Sequence, residues 1–377
     1  MDVDQLLVAG AISEIAAEEW DALHPGLPLL SHAWLNALEA SGCVSSETGW
    51  QPFHLVLRSG QRLRAAMPLY LKSHSYGEYV FDWAWADAYA RYGSSYYPKL
   101  LSAIPFTPVS GPRLLAEPDD IAAQALLLDG LKQLLQQYQL SSAHILFPEG
   151  QTQHLLQAAG WLRRDGVQFR WENSGYASFE AFLTTLSADK RKKIRQERSK
   201  LIKAGISVRR MTGDQISAAD WDFFYQCYCN TYQQHRSTPY LNADFFKRIA
   251  EHMPQHLLMI MAEQEGEPVA AALNVYGSEA LYGRYWGATR MVPGLHFELC
   301  YYQGQEFCIE QGVRYFEGGA QGEHKLARGF KARPTCSYHH IARDEFAAAI
   351  QRYLQLEAAH ISEYVDELDE RAPFRRS

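Results

Sequence analysis

Apolar and polar residues alternate through "FHLVLRSGQRLRAAMPLYLK" (53–72), and Ser59-Gly60 interrupts the run, a pattern that predicts a β-hairpin. Aromatic alternation in "GEYVFDWAWADAYARYG" (77–93) predicts a third strand. Helical spacing marks "SHAWLNALEASG" (31–42), where Ser31 can cap the start and Gly42 the end. A longer helix is predicted at about 120–138, followed by a buried strand "AHILFP" (143–148), a short helix "HLLQAAGW" and a strand "VQFRWEN".

The order then begins again. Helices are predicted in "SFEAFLTTLS", "DKRKKIRQERSKLIKAG", "DWDFFYQCYCNTYQQH" and "NADFFKRIAEHM", with a strand at "ISVRRM". Residues 256–289 predict three antiparallel strands with turns at Glu265-Gly266 and Gly277-Ser278. A helix "LHFELCYYQGQEFCIEQG" stops at Gly312, and a strand "TCSYHHIA" and a terminal helix at about 344–368 close the chain. "RLRAAMPLYLKSHSYGEYVFDWAWA" and "EPVAAALNVYGSEALYGRYWGA" share turn, Ala-Ala strand, turn and aromatic segment. This implies a duplicated unit, with domains at 1–173 and 174–377.

The composition fits two cores: 377 residues, 47% hydrophobic and 21% charged. A net charge of −7 argues against a general nucleic-acid binder without excluding a local basic patch. No basic segment precedes an apolar run at the N-terminus, and no stretch is long enough to span a membrane. Six cysteines without CxxC spacing fit free thiols in a cytoplasm. The histidines form no metal-ligand pattern, and the adjacent pair His339-His340 would point to opposite faces of a strand. No metal site is expected.

The element order of three antiparallel strands, helix, strand, helix, strand resembles the GNAT acyltransferase fold, here in tandem. The strings "GEYVFDWAWADAY", "YYPKLLSAIPFTPVSGPRLL", "LYGRYWG", "LHFELCYYQG" and "FEGGAQGEHKLARGF" resemble the FemAB-like branch of that superfamily, a bacterial family tied to peptidoglycan biosynthesis or recognition. The resemblance covers nearly the whole chain. It implies an α/β (α+β) fold of two GNAT-like domains, each a mixed sheet flanked by helices. It also implies acyl or aminoacyl transfer from acyl-CoA or aminoacyl-tRNA to an amine, with no tightly bound cofactor. The amine would belong to a small molecule or peptide, such as a peptidoglycan precursor.

Such transfer needs a positioned donor carbonyl, a proton acceptor and a donor to the developing oxyanion. By the resemblance, two neighbouring strands splay to hold the donor, and its phosphates sit on the following helix N-terminus. Here that turn is "GATRMVPGLHFE" (287–298), with Arg290, Gly294, Leu295 and His296 as a candidate cradle. The spacing departs from the superfamily signature by one residue, which weakens the case for CoA as the donor. The equivalent N-terminal turn, around Tyr97-Pro98-Lys99, has less glycine, so the donor site is expected in the C-terminal half.

The glycines of "GGAQG" would open a cleft rimmed by Glu317, Glu323, His324 and Lys325, with Arg328 beyond. A plain helix start would use the same residues. Alternation in "LYGRYWGAT" puts Tyr282, Arg284 and Trp286 on one face, where Arg284 could pair with Glu298, Glu317 or a ligand.

Eight basic residues run from Lys190 to Lys203 above a stripe of Ile194, Leu201 and Ala204. A solvated helix face and a contact for tRNA or other phosphates are both open. So is a non-catalytic protein that keeps the fold to bind a cell-wall peptide or nucleotide-bearing ligand.

Overall fold

The computed structural model describes residues 3–24, 26–319, 322–371 and 373–374. The chain folds as two compact units, Met1–Val167 with Pro334–Glu363 and Gln168–Arg333 with Tyr364–Ser377. The segment 334–363, which the sequence analysis placed in the second domain, belongs to the first unit. Strand Lys331–Ile341 runs through the boundary, and from Ser337 to Ile341 it pairs antiparallel with strand Ser142–Leu146.

In the first unit, Asp4–Ala9, His54–Ser59, Arg62–Met67 and Leu115–Ala116 make an antiparallel sheet. A second set pairs Trp50–Pro52, Tyr70–Lys72, Lys99–Ser102 and Ser142–Leu146, the last two in parallel. Helix Ile121–Gln137 buries Leu127, Leu131 and Leu135 in a core with Leu55, Leu57, Met67 and Ile145. The segment "WAWADAYAR" (83–91) is a helix, not the strand its alternation predicted. Alanine at 84, 86, 88 and 90 gives high helix propensity. Trp85 and Tyr89, four apart, share one buried face with Phe346 and Ile350.

The second unit holds an antiparallel run of Ile206–Thr212, Leu257–Gln264, Glu267–Tyr276 and Ala280–Ala288. Strand Ala280–Ala288 then pairs in parallel with the short strand Tyr315–Glu317, itself antiparallel to residues 170–172. Helix Ala218–Gln234 crosses the sheet at Gly287, where a Cβ would stand 1.9 Å from the Cys227 carbonyl oxygen. Only glycine allows that approach.

Candidate active site

Three features of the second unit converge on one place. The first is a splay: Ala280–Ala288 and Tyr315–Glu317 pair over three residues only, ending at Tyr282 and Glu317. Beyond Glu317 the chain turns to Phe169 instead. The Gly318 amide donates to the Phe169 carbonyl (2.7 Å), and the Phe169 amide to that of Gly319 (3.0 Å).

The second feature is a bulge. Leu273 pairs with Tyr285 and Asn274 with Gly283, so Arg284 is an inserted residue. The bulge overturns the simple alternation predicted for this strand. Tyr282 and Tyr285 share one face, where Tyr285 packs on Tyr228 and Phe246. Trp286 lies on the other, its ring 5.1 Å from that of His296. Arg284 stacks on Tyr285 at 5.1 Å, while Glu298 pairs with Arg198, and Glu317 with Arg170 and Arg333.

The third feature is a π turn, Glu298–Tyr302, inside the helical run that starts at Leu295 and ends at Gln311. Such turns widen a helix by one residue and often mark functional sites. Here the turn faces the 3-10 segment Glu323–Arg328. The Tyr301 hydroxyl and His324 Nε2 lie 2.8 Å apart. The His296 and His324 rings are 6.1 Å apart. The Arg328 guanidinium sits 3.4 Å above the Phe297 ring and donates to the His324 carbonyl (2.8 Å) and to both Glu197 oxygens (3.2 Å each). Glu197 also accepts a short hydrogen bond from Tyr302. One acidic residue in the basic helix Ala188–Lys203 thus pins the segment that carries His324 and Lys325.

The predicted residues divide accordingly. His324 is exposed, yet its partial desolvation, then the charges of Lys325 and Arg328, holds its pKa below the usual 6.5. Lys325 is buried near the Phe169 ring, and burial brings its ammonium down to about 8. His296 is held near 4, mainly by burial.

Glu317 is not a free base, since it accepts from Arg170 Nε (2.6 Å) and Arg333 (3.2 Å). Glu323 is exposed, bonded to Arg371 (2.6 Å) and Tyr364 (3.1 Å), and these bonds lower its pKa. In the expected phosphate cradle, Gly294 caps the helix at φ +90°, but the Leu295 amide already donates to Val292 (3.1 Å). Arg290 is exposed and reaches Gln264 (3.3 Å).

Of the three glycines expected to admit a ligand, Gly319 has open space beside it, whereas Gly318 and Gly322 are filled from within. A Cβ on Gly318 would meet Phe330 at 2.9 Å, and one on Gly322 would meet the His324 ring at 2.4 Å. Ala320 and Gln321 of "GGAQG" lie outside the described residues. Tyr301 and Glu197 were missed as site residues. Their sequence signal, a tyrosine in "LHFELCYYQG" and an acid flanked by bases, means little until the π turn brings them together.

In the basic helix, Ile194 and Leu201 are buried as expected, whereas Ala204 is exposed beyond its end. Arg198 pairs with Glu298 (2.9 Å) and Glu306 (2.6 Å), and Arg195 with Glu180. Among the described residues no ion pair holds Lys190, Lys192, Lys193, Lys200 or Lys203. A cleft of about 650 Å³ beside the helix is lined by Arg195, Arg198, Lys203, Ile202 and Gln303.

This arrangement of splayed strands, bulge and helix N-terminus sits in a sequence that matches the FemAB-like peptidoglycan biosynthesis/recognition family over residues 11–376. The chain belongs to the FemAB-like family. Among curated proteins none matches significantly. Solved structures share the fold at low identity. FemX superposes with a TM-score of 0.57 at 13% identity, covering 89% of this chain and 98% of that one. L-PGS from Bacillus licheniformis gives 0.55 at 13%, covering 90% and 95%. A tandem GNAT protein from the clavulanic acid biosynthesis pathway gives 0.50 at 11%, covering 90% and 99%. The FemAB-like chain therefore has a mixed α/β, tandem GNAT-type fold. No helix among its described residues is long and apolar enough to cross a membrane.

Proposed function

We propose that this FemAB-like protein transfers an acyl or aminoacyl group from an activated donor, acyl-CoA or aminoacyl-tRNA, to an amine on a peptidoglycan precursor or related peptide. The observation that carries the reading is the His324–Tyr301 contact beside the splay, with buried Lys325 next in sequence.

In this reading the amine nitrogen attacks the donor carbonyl carbon, and the ester C–O or thioester C–S bond breaks. His324 takes the amine proton and returns it to the departing oxygen or sulfur, which leaves as the tRNA hydroxyl or the CoA thiol. If Nε2–H donates to the Tyr301 oxygen, the Nδ1 lone pair is free for that task. The depressed pKa keeps the ring neutral near pH 7. Lys325, mostly protonated below pH 8, faces the negative charge that develops on the carbonyl oxygen. The free lysines of the basic helix suit the phosphates of tRNA or CoA. Both donors place the reaction in the cytoplasm.

The test is single-turnover kinetics with acetyl-CoA and with charged tRNAs in parallel, on wild type, His324→Ala and Lys325→Met. His324→Ala should slow transfer by about 10²–10⁴-fold at unchanged melting temperature. The wild-type profile should fall on the acid side below pH 6.5 and on the alkaline side near 8. Activity in His324→Ala that tracks only the amount of folded protein would make this segment architecture.

A further inference from the structure

The first unit contains a set of buried charges that the transfer reading does not use. Lys72 and Lys99 sit directly opposite each other on neighbouring strands, and both are 0% exposed. Like charges in that relation oppose folding unless something compensates them.

Lys99 is fully compensated. Its ammonium donates to Asp82 (2.5 Å), Glu78 (2.8 Å) and Ser75 (2.9 Å), which matches its three N–H bonds. Asp82 is likewise saturated, accepting also from Ser75 and Tyr96.

Lys72 and Glu78 are not. Lys72 has one long contact to the Tyr76 carbonyl (3.4 Å) and lies 3.8 Å from the Trp50 ring, with no carboxylate at ion-pair distance among the described residues. Glu78 is 3% exposed. It uses Oε2 on Lys99, while Oε1 has no partner among the described residues. Burial brings the Lys72 ammonium down to about 7 and raises the Glu78 carboxyl to about 7, as expected for groups short of partners.

These groups lie under residues 73–82, a connection without helix or strand. It is pinned at Ser75 and Asp82 to Lys99, and at the Tyr76 carbonyl to Trp50 Nε1 (3.2 Å). Gly77 and Tyr79 take positive φ, +79° and +63°, unusual for a tyrosine. Its outer side leaves Tyr76, Tyr79 and Phe81 exposed, with Trp83 just beyond.

We infer that Lys72, with Lys99 beside it, is a binding site for an oxyanion, a phosphate or carboxylate group of a ligand, and that residues 76–79 cover it in the unliganded chain. The Tyr76 carbonyl stands where a ligand oxygen would bind, and Glu78 supplies the negative charge in the ligand's absence. The Lys99–Asp82–Ser75 bonds hold the floor while residues 76–79 move aside. The exposed rings then flank the entrance. The inference does not depend on transfer chemistry in the second unit.

The test titrates the full-length protein at constant ionic strength with inorganic phosphate and pyrophosphate in one arm, and acetate and succinate in the other. Melting temperature and tryptophan emission are followed. Wild type should show a saturable rise in melting temperature in at least one arm, which identifies the oxyanion class. Glu78→Gln removes the internal occupant's charge and should bind about tenfold tighter. Lys72→Met should lose the response and Lys72→Arg keep it. No saturable response in either wild type or Glu78→Gln overturns the inference, and so does an undiminished response in folded Lys72→Met. If the lysine variants do not fold, the wild-type and Glu78→Gln titrations decide alone.

Discussion

His144 and His339 should make the first unit acid-labile. They pair across strands Ser142–Leu146 and Lys331–Ile341, with Nδ1 atoms 2.7 Å apart. Their Nε2 atoms contact Ser142 (2.7 Å) and Ser337 (2.9 Å). Both rings are fully buried. Burial, then the Lys99 charge, pulls His144 down to about 3; burial, then His144, pulls His339 well below its ordinary value. In the folded chain both stay neutral, one donating to the other. In the unfolded chain each titrates near 6.5.

The folded pKa values are the lower ones, so the pair's contribution is complete above about pH 6.5 and is lost as pH falls towards the folded values. Each histidine contributes up to about 1.36 kcal/mol per pH unit over that window. Two histidines over the two units from 6.5 to 4.5 give roughly 5 kcal/mol, a large share of a typical total stability of about 5–15 kcal/mol. The assay is guanidinium denaturation between pH 7 and 4.5 on wild type and on His144→Gln/His339→Gln. The variant starts less stable but should lose about 2.7 kcal/mol per pH unit less than wild type below pH 6. Equal slopes would refute the reasoning, as would histidine NMR resonances titrating near 6.

Replacing Lys190, Arg191, Lys192 and Lys193 with Gln should weaken binding of charged tRNA or CoA and flatten its dependence on salt, measured by fluorescence anisotropy; an unchanged slope would leave the helix a solvated face. Gly322→Ala should push a methyl into the His324 ring and slow transfer by at least about tenfold, since small misplacements at a reacting centre are amplified. Its melting temperature should drop by no more than the few degrees that about 1 kcal/mol of strain at a positive φ implies; a rate equal to wild type would show that the ring position does not matter.

Local pattern determined much of this protein. The antiparallel strands of the second unit, the Ser31 cap that accepts from the Trp34 amide, the buried Ile194 and Leu201, and the stop at Gly312 all follow from spacing within one element. The family was legible in strings such as "FEGGAQGEHKLARGF" for the same reason. What the sequence left open depends on which distant residues meet. Alternation at 83–91 could not separate a strand from an alanine-rich helix, because Phe346 and Ile350 supply the face that Trp85 and Tyr89 bury. The bulge at Arg284 is a mismatch between two strands, so one strand's alternation cannot reveal it. Glu317 looks like a base until Arg170 and Arg333 close on it, and Glu197 looks like a stray acid until Arg328 and Tyr302 reach it. Charges interact through space with whatever folding brings within a few ångströms. The roles of ionisable residues were therefore decided by tertiary structure, while periodicity had already set the elements that carry them.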